Sequence, residues 1–230
     1  MRKQGGFFVH AHPAQSSYSK NTLDYYFADH TGFEVFYTPA EADDDSHPNG
    51  AYGADQTLIN YKVWDELLKV GKRLYATAGS DTHGALNTYA VTSVYSDPAK
   101  ADADKGEIIN QLRDGDFVAG AVGMQMCIGE IAMGGTAMGG TCDFNGQKLI
   151  VDINKFHSSV IKDGHRYRVD ILNEKGVVLR QMVTPEQGLS IAMNVDANSK
   201  YYRVEVTDLT NKYLIAIGNP IWNAKFINAE

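Results

Sequence analysis

The chain has 230 residues, of which 43% are hydrophobic and 21% charged, and it carries a formal net charge of −7. That composition suits an ordinary globular protein of one large domain or two modest ones. It gives no electrostatic footprint for nucleic acid or an anionic membrane, no apolar run is long enough to span a bilayer, and the two cysteines, Cys127 and Cys142, do not make a disulfide framework.

Met1-Arg-Lys-Gln-Gly-Gly leads directly into Phe7-Phe8-Val9 with no signal peptide. A chain opening on a buried strand is expected to be the back part of a longer protein. The cytoplasm is then the default compartment, unless an export signal lies upstream. Gly6 to His10 reads as a short buried strand running into His10-Ala-His-Pro13. If the strand persists to residue 12, His10 and His12 share a face and can share a divalent cation. Otherwise one imidazole is functional and the other packs. Ser19 to His30 has helical spacing at Leu23, Tyr26 and Phe27, and Phe33 to Tyr37 is a second strand with Glu34 inside it. An acid in a buried strand is costly unless paired or ligated, so Glu34 is either a ligand or an edge residue facing water.

Thr38 to Ala54 reads as a polar loop with a Pro48-Asn-Gly50 turn. Asp55 to Val70 is the clearest helix, with Ile59, Val63, Leu67 and Val70 along one face, widened by Trp64 and Leu68, and Gly71 ending it. The strand Arg73 to Ala78 then leads into Gly79-Ser-Asp-Thr-His-Gly84. Asp81 and His83 are presented there at the carboxyl end of a strand, where open α/β sheets and barrels put their chemistry. A carboxylate and an imidazole so placed make half of a hydrolytic metal site. Tyr89 to Tyr95 reads as a strand and Lys105 to Arg113 as a helix, with Ile108, Ile109 and Leu112 inward. Alternating strands and helices predict an α/β layer or barrel over residues 1–122.

Residues 123–147 form a glycine-rich junction with a tandem repeat, Ala132-Met-Gly-Gly-Thr136 and Ala137-Met-Gly-Gly-Thr141. From Lys148 the period is mostly two: Leu149–Ile153, Tyr167–Leu172, Val177–Met182, Leu189–Met193, Tyr201–Val206 and Tyr213–Ile217, with a hairpin turn at Asn173 to Gly176. This predicts an all-β, immunoglobulin-like sandwich over 148–230.

Three stretches in order, Gly5-Gly-Phe-Phe-Val-His-Ala-His-Pro13, Gly32-Phe-Glu-Val-Phe36 and Gly79-Ser-Asp-Thr-His-Gly84, resemble the later motifs of the PHP (polymerase and histidinol phosphatase) superfamily. Leu112-Arg-Asp-Gly-Asp-Phe-Val118 and Ala216-Ile-Gly-Asn-Pro-Ile-Trp222 are similar to its CehA/McbA-like branch, in which a distorted (β/α) barrel precedes a β domain. The resemblance implies the C-terminal part of such a barrel. It also implies metal ligation by His12, Asp81 and His83, with Glu34 and His10 beside them. Asp81 and His83 would carry catalysis. The implied activity is hydrolysis of a small phosphorylated substrate through water activated by a divalent metal, zinc, manganese or iron. The family's opening His-x-His motif, its Ser-Asp-Gly aspartate and its middle ligands have no counterpart in this chain. The resemblance therefore makes a missing N-terminal segment of the same protein an expected partner. Two further readings stand beside it: an amidohydrolase-like activity on carbamate or amide, and a non-catalytic binding or assembly module.

Overall fold

The structure is a computed structural model and describes residues 5–13, 29–36, 51–79, 90–95, 105–121, 127–156, 165–210 and 212–227. In chain order these form β1 (Val9–His10), β2 (Thr31–Phe36), α1 (Ala51–Lys69), β3 (Leu74–Ala78), β4 (Ala90–Val94), α2 (Lys105–Asp114) and β5 (Phe117–Ala121). There follow β6 (Ile128–Met133), β7 (Thr136–Ala137), β8 (Thr141–Cys142), β9 (Lys148–Ile153), β10 (Tyr167–Asn173), β11 (Gly176–Val183), β12 (Leu189–Asn194), β13 (Tyr201–Asp208) and β14 (Tyr213–Asn223). The expected helix over 19–30 and the loop over 38–54 fall mostly outside the described residues.

Three sheets result. β1, β2 and β3 pair in parallel in that order, with α1 between β2 and β3. The largest sheet runs β11-β10-β13-β14-β5-β4, with β8 joined to β14, and the third runs β12-β9-β6-β7. Of the pairs in these two sheets, β8 with β14 is parallel and the others are antiparallel. The central strands β13 and β14 are buried on both faces. On one side Val204, Val206 and Ile221 meet Ile131, Val151 and Ile191 of the four-stranded sheet. On the other, Tyr201, Ile217 and Trp222 meet Phe33 and Val35 of β2 and Trp64 and Leu68 of α1. Two cores therefore share one middle sheet.

This overturns the expected PHP-type (β/α) barrel followed by a separate immunoglobulin-like sandwich. Strand dominates the described residues, the large sheets are antiparallel, and no barrel closes among the described residues. β4 and β5, on either side of α2, run antiparallel to each other and join β14. The sequence order strand, helix, strand was right there, but order does not fix direction. β6 and β7 come from the supposed junction, β6 pairing with β9 and β7 with β6, and β4 and β5 lie before it, so neither large sheet is confined to 148–230.

The local reason that the parallel sheet stops at β3 is a pair of side chains. The Ala76 N–H donates to Asn219 Oδ1 at 2.7 Å, and Asn219 Nδ2 donates to the carbonyls of Gly115 and Phe117, each at 3.1 Å. The Ala78 N–H donates to Thr92 Oγ1 at 2.9 Å, and that hydroxyl donates back to the Ala78 carbonyl at 3.2 Å. The outer edge of β3 is thus satisfied without a fourth parallel strand. Asn219 reaches it from a bulge, where two residues of β14, Asn219 and Pro220, stand opposite the single residue between Tyr202 and Val204.

Arg203 lies opposite that bulge and has no exposed surface. Its guanidinium ion-pairs with Glu205, donates to Asp65 Oδ1 at 2.7 Å and Tyr61 OH at 3.0 Å, and lies over the Trp64 ring at 4.9 Å. These contacts set the roll of α1. Thr57, Asn60, Trp64, Leu67 and Leu68 face inward, while Ile59 and Val70, expected on the apolar face, are exposed. Asp65→Ala removes one charged partner of a cation that stays buried. It is expected to cost about 2 kcal/mol in urea unfolding, and a loss below about 0.5 kcal/mol would show that Asp65 does not hold the helix.

Candidate functional site

The carboxyl ends of β1 and β3 flank one acid. All six residues of β2 are buried, and Glu34 in its middle is 9% exposed. Its Oε2 accepts the His12 N–H at 2.6 Å. Its Oε1 occupies the space where a Cβ on Gly79 would stand. The carboxylate therefore lies between the segment leaving β1 and the segment leaving β3, and Gly79 leaves it room. Thr77 pairs with Glu34 in the sheet register, and its buried hydroxyl has no hydrogen-bond partner among the described residues.

β1 ends at His10, and His12 sits beyond it with φ of 31°, a left-handed value that costs a non-glycine residue roughly 1 kcal/mol. The expected strand alternation therefore does not relate His10 to His12. Pro13 removes a ladder donor, and the His12 amide turns to the Glu34 carboxylate instead. His10 stacks edge-on against Phe8 at 4.6 Å. Burial lowers its pKa from the ordinary 6.5, which favours the neutral imidazole that ligates metals.

Asp81 and His83 lie outside the described residues; Gly79 is the last described residue before them. The structure brings His12 to Glu34, sets His10 at the end of the neighbouring strand, and leads β3 to the same place through Gly79. Among the described residues, no group of three or more His, Cys, Asp and Glu could hold a metal ion. Sequence reasoning missed Thr92, which pins the end of β3 from a neighbouring strand. A threonine in a β-branched run carries no signal of that role.

Other candidates are accounted for elsewhere. Arg73 is paired with Asp29 at the opposite end of the parallel sheet. Arg113 donates to the Gly5 carbonyl and to Asn110 Oδ1. Both cysteines are free, and burial pushes the Cys127 thiol up to about 12, so it stays protonated. Among the described residues, no helix is long and apolar enough to cross a membrane. No family model, no curated protein and no solved structure matches the chain.

Two outcomes follow from this geometry. Gly79→Ala is expected to displace the Glu34 carboxylate, a flexible group, more than it disturbs the fold. The His12 amide proton resonance should move while unfolding stability falls by less than about 1 kcal/mol; an unmoved His12 resonance would contradict the packing of carboxylate against glycine. His10 has a folded-state pKa below 6.5, so the unfolded chain takes up that proton first as the pH falls. The stability tied to neutral His10 is complete above pH 6.5 and is lost as the pH drops through the lower, folded value. Urea midpoints of the wild type should therefore decline more steeply on acidification than those of His10→Gln, and parallel profiles would refute the shift.

Proposed function

We propose that the protein is a metal-dependent hydrolase acting on a small phosphorylated substrate, a phosphoesterase. The observation that carries the reading is the buried Glu34 carboxylate, held by the His12 amide and fitted against Gly79 where the Asp81 and His83 segment begins. The donor types fit a divalent cation. A carboxylate and imidazoles suit zinc, manganese or iron, and the Thr77 hydroxyl, without a partner among the described residues, adds a polar atom on the strand beside Glu34. In this reading His12, Glu34, Asp81 and His83 hold the metal, with neutral His10 next to them. When bound, such a cation supplies Lewis acidity that lowers the pKa of water and offsets charge growing on phosphate oxygens.

The chain's own residues do the rest. The His12 N–H orients the Glu34 carboxylate, and burial of β2 on all six residues limits its movement. Thr92 holds both polar groups of Ala78, which fixes the end of β3 just before Gly79. In this reading the catalytic role falls to Asp81 and His83. The three stretches that resemble motifs of the PHP superfamily point to the same residues, although the barrel of that group is not the fold of this chain.

The test uses the purified chain, stripped with chelator and reloaded with manganese or zinc. Metal content and hydrolysis of bis-p-nitrophenyl phosphate are measured for the wild type, Glu34→Gln and Asp81→Ala, with circular dichroism to confirm folding. Each variant is expected to lose about tenfold or more in metal affinity and about a hundredfold in kcat/KM. Unchanged metal content and turnover in both folded variants would dismiss the reading. Cleavage of a p-nitroanilide without release from the phosphodiester would move the chemistry to carbonyl carbon.

A further inference from the structure

A second opening lies at the other end of the parallel strands, separated from Gly79 by the length of β3, about 16 Å. It is a cavity of about 390 Å³, at the small end of ligand-site volumes. Its wall includes Val70 just past α1, Asp29 and Arg73 just before β2 and β3, Lys200 just before β13, Trp222 of β14, and Phe226 in the turn that follows. Two of these, Val70 at 62% and Phe226 at 43%, are large apolar side chains exposed to solvent.

The polar wall has more donors than acceptors. Both oxygens of Asp29 are taken by Arg73, Oδ1 by its backbone N–H at 2.9 Å and Oδ2 by its Nε at 3.1 Å. Arg73 Nη1 has no hydrogen-bond partner among the described residues. Lys200 Nζ donates once, to the Lys69 carbonyl at 2.8 Å, which leaves two of its three hydrogens. The buried Trp222 indole N–H has no partner among the described residues. Two cations face one carboxylate, so the wall carries a net positive charge beside aromatic and aliphatic surface. A phosphate alone would use the donors and leave the apolar rim exposed; a neutral aromatic would do the reverse.

We infer that this cavity is a binding site for a small organic carboxylate with a planar apolar body. The carboxylate accepts from Arg73 and Lys200, and the body packs against Phe226 and Val70. The inference is independent of the hydrolase reading, since none of these residues belongs to the Glu34 end.

Benzoate is the probe and benzyl alcohol its neutral counterpart, followed by nitrogen–proton correlation spectra of the full chain. The sequence has two tryptophans, so two indole N–H signals report. Trp64 is fully buried and donates to the Leu74 carbonyl at 3.1 Å, which makes it the internal reference. Benzoate is expected to move the Trp222 indole signal saturably at millimolar concentration and to leave Trp64 in place. Benzyl alcohol should bind about tenfold more weakly or worse, the loss of one charge-assisted hydrogen bond. Lys200→Met and the surface variant Phe226→Ala should each weaken benzoate by about fivefold or more. If Lys200→Met does not fold, Phe226→Ala decides. A Trp222 signal that never saturates, equal affinity for the two probes, or full benzoate affinity in Phe226→Ala overturns the inference.

Discussion

One buried carboxamide joins the parts of this molecule. Asn219 accepts from β3 and donates to two carbonyls at the entry of β5, and it has no exposed surface. The Ala76 N–H, fully buried, would otherwise lack that acceptor, at about 1–3 kcal/mol; the Gly115 carbonyl accepts the Phe117 N–H at 3.0 Å as well. Hydrocarbon packing is tolerant of small shifts, but three hydrogen bonds from one rigid amide are not. They fix where the parallel sheet rests on the middle sheet, and with Thr92 they close the edge that a further parallel strand would have used.

The bulge that aims Asn219 also sets Arg203 against α1, so a single irregularity in β14 serves both contacts between the layers. Arg203 is a costly residue to bury, and its partners on α1 and β13 make the cost bearable. The result is a parallel sheet with two well-defined ends. One presents Glu34 between the exits of β1 and β3, and the other presents the cationic cavity behind Arg73. Both ends depend on the same seam, because β3 reaches from one to the other.

Much of the local structure could be read from the residues. The period of two located β9 to β13 within two residues, and Asn173 to Gly176 forms the tight β10–β11 connection, with Asn173 Oδ1 accepting the Lys175 N–H at 2.8 Å. Strand β14 ran past its expected end at Ile217 because Gly218-Asn-Pro220 has the composition of a turn, yet here forms the bulge. What could not be read was long-range. Nothing around residue 203 announces that its guanidinium is buried against a helix about 140 positions away. The helix repeat placed Trp64, Leu67 and Leu68 inward, as they are, but it also placed Ile59 and Val70 there and passed over Asn60, since the roll of the helix is set by Arg203 and the Leu74 carbonyl. At the candidate site, Glu34 and His12 were singled out from residue type and position, while the contact of the His12 amide with the carboxylate and the fit to Gly79 needed coordinates.

The most direct test of the seam is amide hydrogen exchange at Ala76, compared between the wild type and Asn219→Leu, a replacement of similar size that offers no hydrogen bond. The Ala76 amide should exchange about a hundredfold faster in the variant, while amides in the β10–β13 ladder keep most of their protection. Unchanged exchange at Ala76, or an equal loss of protection in every strand, would contradict the view that this one side chain closes the edge of β3.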